Sequence, residues 1–488
     1  MAVSRYPTKS AHPQRRTALM EKRNPKYPSS QHAILFLHVC LFLFLFSSVA
    51  QAAGMFLPSR GVHPLSRGGA SIAGGDTLQT IWYNPANLVE MKGISVLVDV
   101  GVIVSSARFA RQSRKSEEGG TINYEAVDNE ASPIPDPTLI GSYHWADHNL
   151  TVAFGFYAPY ASGLKFPDTG SQRYALVDMS GSIFLISNLA FAWSPHPNFR
   201  LGAGLQNYTV SVRLITAASG YLGPFGAPED KNLDLYTEAT IDAPMNISGN
   251  AGIWGRVIDT PQIKLDMAAS VQFPVAIQAK GNIRVRLPTH ALFDPSSIEG
   301  SAIEASMWLP LIARGALRAT IMGRGNVEFA IVYENWAVHD SITMTPSGNG
   351  IKVKNVPTIG DYVIPSLRVE RGFRDTLSFR LGGGAEVLPG RLEVRAGYAY
   401  ENSAVPDEYV TVFSMDPNKH VIALGATIKF GKHAIDLTYA HYLQQRREIT
   451  TSKYKQLNPL NPEGAIVIGN GVYDSSVNVF GLSWRGQF

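Results

Sequence analysis

From residue 94 to residue 488, apolar and polar side chains alternate in one run after another, and that pattern leaves few ways to fold. In the first run Ile94, Val96, Val98, Val100, Val102 and Val104 share one face, while Ser95, Asp99 and Gly101 fall on the other. Later, Val327, Phe329, Ile331 and Tyr333 alternate with Glu328 and Glu334, and Leu377, Phe379 and Leu381 with Ser378, Arg380 and Gly382. Fourteen such strands are predicted, at 94–104, 138–146, 149–158, 183–194, 199–213, 244–258, 262–280, 307–319, 326–339, 376–386, 391–402, 419–430, 432–446 and 476–488. Their connections alternate long and short. The short ones hold turn residues (Asp147-His148-Asn149, Asp259-Thr260-Pro261, Leu388-Pro389-Gly390), and the long ones are polar and rich in Pro, Gly and Asp. An even number of strands with short turns at one end and long loops at the other is the plan of bacterial outer-membrane barrels; a soluble sandwich has no reason to sort its loops by length. Beyond residue 52 no segment nears the roughly 18 consecutive apolar residues of a membrane helix, so a chain of this kind crosses a membrane as strands. The expected fold is an all-β transmembrane barrel of fourteen antiparallel strands over 93–488.

The N-terminus reads as an export signal. Seven of the 43 Lys and Arg residues, but only one of the 39 acids, fall in residues 1–30, and 31–52 carry no charge. The apolar run Ala33 to Phe46 is short for a membrane helix and is followed by Ala50-Gln51-Ala52, a small-x-small cleavage pattern. Residues 1–52 are therefore expected to be a signal peptide with a long basic start, cleaved after Ala52. The remaining 36 basic and 38 acidic residues give the exported chain a net charge of −2, which gives no case for nucleic-acid binding. Cys40, the only cysteine, leaves with the signal, so neither disulfides nor thiolate chemistry are expected.

Ahead of the strands, Ser66 to Leu88 (SRGGASIAGGDTLQTIWYNPANL) is dense in Gly and Ala and ends in Asn84-Pro85-Ala86. It has neither strand alternation nor a helical stripe. Residues 53–92 are read as a hatch of short helices and loops plugging the lumen. At the other end Phe488 closes the chain behind Trp484, Leu482 and Phe480; a terminal aromatic on an alternating strand is what barrel assembly machinery recognises.

Ser66-Arg67-Gly68-Gly69-Ala70, Asp76 and Asn84-Pro85-Ala86 resemble the N-terminal hatch of the long-chain fatty acid outer-membrane transporters, the FadL family. Arg395 to Tyr400, Ser403-Ala404-Val405-Pro406 and Asp416-Pro417 resemble a strand and loop near that family's C-terminus, with Ala404 where the family has Pro. The resemblance implies a lumen blocked by a hatch, whose motif residues here are Gly68, Gly69, Asn84, Pro85 and Ala86. It implies passive uptake of long-chain fatty acids or similar hydrophobic compounds, with sideways exit into outer-membrane lipid at a kink in the third strand beside the NPA motif. The alternatives are an aromatic hydrocarbon channel of the same fold and a structural or adhesive barrel.

A carboxylate in an apolar lumen needs a cation. Arg213 and Lys280, at the outer ends of the fifth and seventh strands, are the expected partners, with Leu164 and Phe166 forming part of an apolar capture surface together with Tyr221, Leu222 and Phe225. Arg380 and Arg395 point inward near Glu386, Glu393 and Glu401 and read as an internal salt-bridge ladder. Gly155 and Pro159 could interrupt the third strand and allow a lateral opening. His144 and His148 flank a strand turn, so no metal is expected there; no cofactor, catalytic residue or enzyme activity is expected.

Overall fold

The structure, a computed structural model, describes residues 59–116, 119–159, 163–223 and 226–488. The signal peptide, its cleavage site, Cys40, the first hatch residues 53–58 and Phe225 lie outside the described residues.

The strands close into one antiparallel barrel of fourteen. In chain order they are β1 (Ile94–Arg111), β2 (Ile134–Trp145), β3 (Leu150–Tyr157), β4 (Ile183–His196) and β5 (Phe199–Ser219). Five strands in two pieces follow: β6 (Asp234–Ala243, Ile247–Asp259), β7 (Ile263–Gln272, Val275–Arg286), β8 (Ala302–Leu309, Ile312–Ile321), β9 (Gly325–Glu334, Ser341–Pro346) and β10 (Leu367–Glu370, Thr376–Leu388). The last four are β11 (Leu392–Glu401), β12 (Lys419–Phe430), β13 (His433–Gln444) and β14 (Gly471–Gln487). β14 pairs with β1 from Ser95↔Gln487 to Arg111↔Gly471, which closes the ring without an edge.

The faces are inverted relative to a soluble protein. Leu205, Ile253, Met267, Leu317, Phe329, Phe379, Leu424 and Leu482 project outward, each more than two-fifths exposed. Their strand neighbours Gln206, Asp266, Arg318, Glu328, Arg380, Thr427 and Ser483 are buried in the lumen. Apolar outside and polar inside is the arrangement of a barrel wall facing lipid.

The breaks in β6 to β10 lie in register, at Pro244, Pro274, Pro310, residues 335–340 and residues 371–375. Three are prolines, which cannot donate to a ladder. The piece of each strand on the short-turn side has 10 to 13 residues. That suffices for one bilayer crossing, about 9–11 residues. The far pieces thus rise above the membrane, which explains why the sequence pattern missed most of them: with water on the outside, Thr240, Asp242, Lys280 and Arg284 replace the apolar outer residues.

Candidate functional site

Residues 59–92 lie inside the barrel. Gly61 (φ 72°) opens a single helical turn, α1 (Val62–Leu65), and Gly68 and Gly69, both at positive φ (63° and 80°), turn the chain back. A second turn, α2 (Thr80–Tyr83), leads to Asn84, whose extended backbone caps a 3₁₀ helix over Pro85–Glu90. Asn84 Oδ1 accepts the Ala86 N–H at 3.1 Å, and Pro85 occupies the first helical position, where it loses no bond.

Glycines in the wall receive this segment. On one side Gly382 and Gly397 are a cross-strand pair on β10 and β11, and a Cβ on either would come within 2.3 Å of the Arg67 backbone. On the other side Gly202 and Gly252 pair across β5 and β6. A Cβ on Gly202 would lie 2.3 Å from the Ala86 nitrogen, and one on Gly252 2.0 Å from Asn84 Oδ1. The NPA motif therefore rests on β5 and β6. The 3₁₀ helix that begins at Pro85 also approaches β3 and β4, and Trp82 meets Tyr157 of β3 edge-on at 5.6 Å. Asn84 Nδ2 donates to the carbonyls of Ile72 and of Ile253 in the wall, both at 3.0 Å, while Ser270 and Asn250 donate to Tyr83 and Ile81 carbonyls at 2.6 and 2.7 Å.

Charged groups hold the opposite flank. Arg318 on β8 grips Asp76 with two bonds, 2.6 and 2.7 Å, and Glu328 on β9 accepts the N–H groups of Ile72 and Ala73 at 2.5 and 3.0 Å. Arg395 donates to Ser66 Oγ at 2.7 Å and pairs with Asp436 at 3.5 Å. Asp436 also pairs with Arg485, which donates to the Asp76 carbonyl at 3.0 Å. Burial alone would raise the Asp76 carboxyl, but the Arg318 guanidinium outweighs it and holds that group well below the usual carboxylate range. Burial, reinforced by Arg395, lowers His63 of α1 well below the usual imidazole value.

Arg213 and Lys280 do not face the lumen. Tyr208 and Val210 bury the inner face of β5, which leaves Arg213 on the outer one, paired with Glu238 at 2.7 Å and Asp178 at 3.3 Å. In β7, Val275, Ile277 and Ala279 are buried and Lys280 points out, its side chain 83% exposed and 3.2 Å from Glu304. One residue of strand parity decides the face, and above the membrane the alternation no longer reports it. Leu164 and Phe166 are buried with Tyr174, Leu176 and Met179 rather than exposed for capture, and Tyr221 is buried in a separate loop cluster. Gly155 sits in an unbroken ladder opposite Ile140 and Asn188; β3 ends at Tyr157, two residues before Pro159. Arg395 joins an ion-pair network, as expected, whereas Arg380 makes no ion pair among the described residues.

Strand 3 stops short of its neighbours. β2 pairs with β1 back to Ile134↔Ile103, but with β3 only back to Leu139↔Phe156. Pro135 and Pro137 remove two donors from that uncovered stretch of β2, a signal already present in the sequence. Beyond the interruption, Glu130 N–H bonds the Lys165 carbonyl at 2.7 Å and Asn129 Nδ2 the Gly163 carbonyl at 2.8 Å.

Residues 43–488 match the family described as outer membrane protein transport protein (OMPP1/FadL/TodX). The chain belongs to this family. It is a bacterial outer-membrane β-barrel of the OMPP1/FadL/TodX type, whose members carry hydrophobic compounds. Its fold is similar to that of a FadL homologue of Pseudomonas aeruginosa, with TM-score 0.72 and 15% identity over 89% of this chain and all of that one. It is also similar to the toluene transporters TodX of Pseudomonas putida (TM-score 0.60, 14% identity) and TbuX of Ralstonia pickettii (TM-score 0.59, 14% identity), each over 88% of this chain and 99% of the other. Over 123 residues, 25% of its length, the chain is 24% identical to an outer membrane protein of Neisseria meningitidis serogroup B, and it spans about a quarter (26%) of that relative. Within OMPP1/FadL/TodX barrels of this plan the short turns face the periplasm and the long loops the outside.

Proposed function

We propose that this barrel takes up long-chain fatty acids or similarly hydrophobic compounds by passive diffusion, with residues 59–92 acting as the hatch that turns the cargo sideways into the membrane. The observation that carries this reading is the end of β3 at Tyr157, which among the described residues leaves the Ile134 side of β2 without a strand partner beside a lumen occupied by the inner segment. Two cavities border Arg60 beside that segment, and at about 20 Å³ each they hold little more than a water. An acyl chain loses about 0.8 kcal/mol for every CH₂ it exposes to water, so a route that opens sideways into lipid favours such cargo over an aqueous pore. Gly68 and Gly69 supply the turn that seats the hatch, and Asn84, Pro85 and Ala86 fix it against β5 and β6. Phe488, exposed at the end of β14, is the proposed recognition point for the assembly machinery.

The test is uptake of radiolabelled oleate and toluene by cells that carry this protein as their only transporter of the kind. Oleate uptake above the empty strain, with little gain for toluene, supports the fatty acid reading. The reverse pattern assigns aromatic hydrocarbons, and no gain for either makes the barrel structural or adhesive.

A further inference from the structure

The far piece of β7, Val275–Arg286, carries Gln278, Lys280, Asn282, Arg284 and Arg286 on its exposed outer face, while Ile277, Ala279 and Ile283 pack inward. That face starts at the membrane edge. Pro274 breaks the strand there, and Trp308 of β8, exposed on the same face, lies directly across from Ala276. An exposed Trp at this level belongs to the aromatic girdle of a barrel. At roughly 3.3 Å per residue, Arg284 stands about 26 Å further along the strand than Ala276, and a tilt of about 45° still lifts it about 18 Å. The polar layer of a phospholipid bilayer is only about 5–8 Å deep on each side, so Arg284 rises beyond it. Acids account for the lowest cation of the row but not for the upper two. Lys280 pairs with Glu304 at 3.2 Å and lies opposite Asp242. Arg284 lies opposite Glu238, but Glu238 is held by Arg213 at 2.7 Å. Arg286 lies opposite Tyr236, with its guanidinium over that ring at 4.3 Å. Neither Arg284 nor Arg286 makes an ion pair or a side-chain hydrogen bond among the described residues.

Two arginines two residues apart on one strand face stand about 7 Å from each other, a spacing at which both side chains reach a single phosphate. A guanidinium takes phosphate through two parallel bonds, and stacking on Tyr236 holds Arg286 in place for it. Asn282, one step nearer the membrane, accepts Ser301 Oγ–H at 3.1 Å through Oδ1 and keeps its amide N–H groups for sugar hydroxyls. We propose that Arg284 and Arg286 bind a phosphate on the saccharide head group of an outer-leaflet glycolipid, a lipopolysaccharide, with Asn282 contacting the adjoining sugar. The height of the two arginines selects this partner: a phospholipid phosphate lies too close to the hydrocarbon to reach them, whereas a phosphorylated sugar chain extends past them. The site lies on the outer face of the wall and is independent of the cargo.

The test is binding of labelled lipopolysaccharide with a phosphorylated inner core to the purified mature protein in detergent, read by fluorescence anisotropy. The same glycolipid stripped of its core phosphates, and phosphatidylglycerol, are the comparison ligands. Arg284→Gln/Arg286→Gln is expected to weaken lipopolysaccharide about tenfold or more, to the level the wild type shows for the dephosphorylated form. Arg284→Lys/Arg286→Lys keeps the charge without the planar fork and is expected to recover part of the loss. It carries the same comparison should the Gln pair fail to fold. Arg324→Gln/Arg391→Gln removes two exposed charges from the short turns instead and should leave binding unchanged. Equal affinity of the wild type and the Gln pair, or of the phosphorylated and dephosphorylated glycolipid, overturns the site. An equal loss for phosphatidylglycerol overturns it too, because the arginines would then attract any anionic lipid. So does a change of oligomeric state in the Gln pair with lipopolysaccharide binding intact, which gives the face to a second copy of the chain.

Discussion

Asn84 stands on Gly252: a Cβ added to that glycine would lie 2.0 Å from the Asn84 side-chain oxygen, so hatch and wall meet there with no room for a methyl group. Gly252→Ala is therefore expected to push the NPA corner off β6 while the barrel still closes. In planar bilayers this variant should conduct small ions more than the wild type does. Gly315→Ala on β8, where an added Cβ meets nothing within 4 Å, is the matched control and should change nothing. A tight Gly252→Ala barrel would show that the close fit does not seal the lumen.

The clamp on the opposite flank is electrostatic. Arg318→Met leaves Asp76 without its ion-pair partner and the buried Glu328 with Arg67 alone, and breaking a buried pair in this way costs about 3–5 kcal/mol. The expected result is a hatch open to added protease in detergent, at unchanged barrel heat-modifiability. Arg108→Met removes the exposed Arg108–Asp128 pair at the outer end of β1, where such pairs contribute little, and should be silent.

How much of this was legible beforehand follows from where each residue sits. Inside the membrane the outer face must be apolar, so alternation located all fourteen strands and their order. Above the membrane both faces are wet, so alternation there does not report that Arg213 and Lys280 face away from the lumen. The glycines Gly202, Gly252, Gly382 and Gly397 act through what approaches them across the lumen, a contact between residues up to hundreds of positions apart. Nothing in their local sequence reports it. Asp76 and the NPA motif were visible, but their partners Arg318 and Ile253 were not, because register between hatch and wall leaves no periodic trace.

Two hatch groups titrate in different windows. Asp76 sits below its ordinary value, so its contribution is present above about pH 4 and is lost only as the pH falls through its lowered pKa. His63 is also lowered, first by burial and then by Arg395, with Arg485 and Arg67 adding to the effect, Asp76 opposing it and Glu393 3.9 Å away. Once released from the lumen His63 takes up a proton below about pH 6.5; docked, it does not, so docking weakens as pH falls below that value. Protease access to the hatch should rise between pH 7 and pH 5 in the wild type, and His63→Gln should flatten the rise.

Removing residues 54–90 should leave a folded, heat-modifiable barrel that leaks small solutes and loses efficient uptake. The lumen-facing charges of Arg318, Glu328, Arg395 and Asp436 would then meet water, a solvent that suits them. Loss of the barrel itself would make the segment part of the fold's core.

The interruption after β3 gives the most direct test of sideways exit. The mature chain is expected to lack cysteine, and a Cβ on Gly163 lies 3.5 Å from the Ala131 Cβ, within the roughly 3.5–4.5 Å span of a disulfide. Oleate uptake by Ala131→Cys/Gly163→Cys should be measured oxidised and after reduction. If cargo leaves where β3 ends, the oxidised barrel should lose most of its uptake and recover it on reduction. Equal rates in both states would contradict a lateral route at this point.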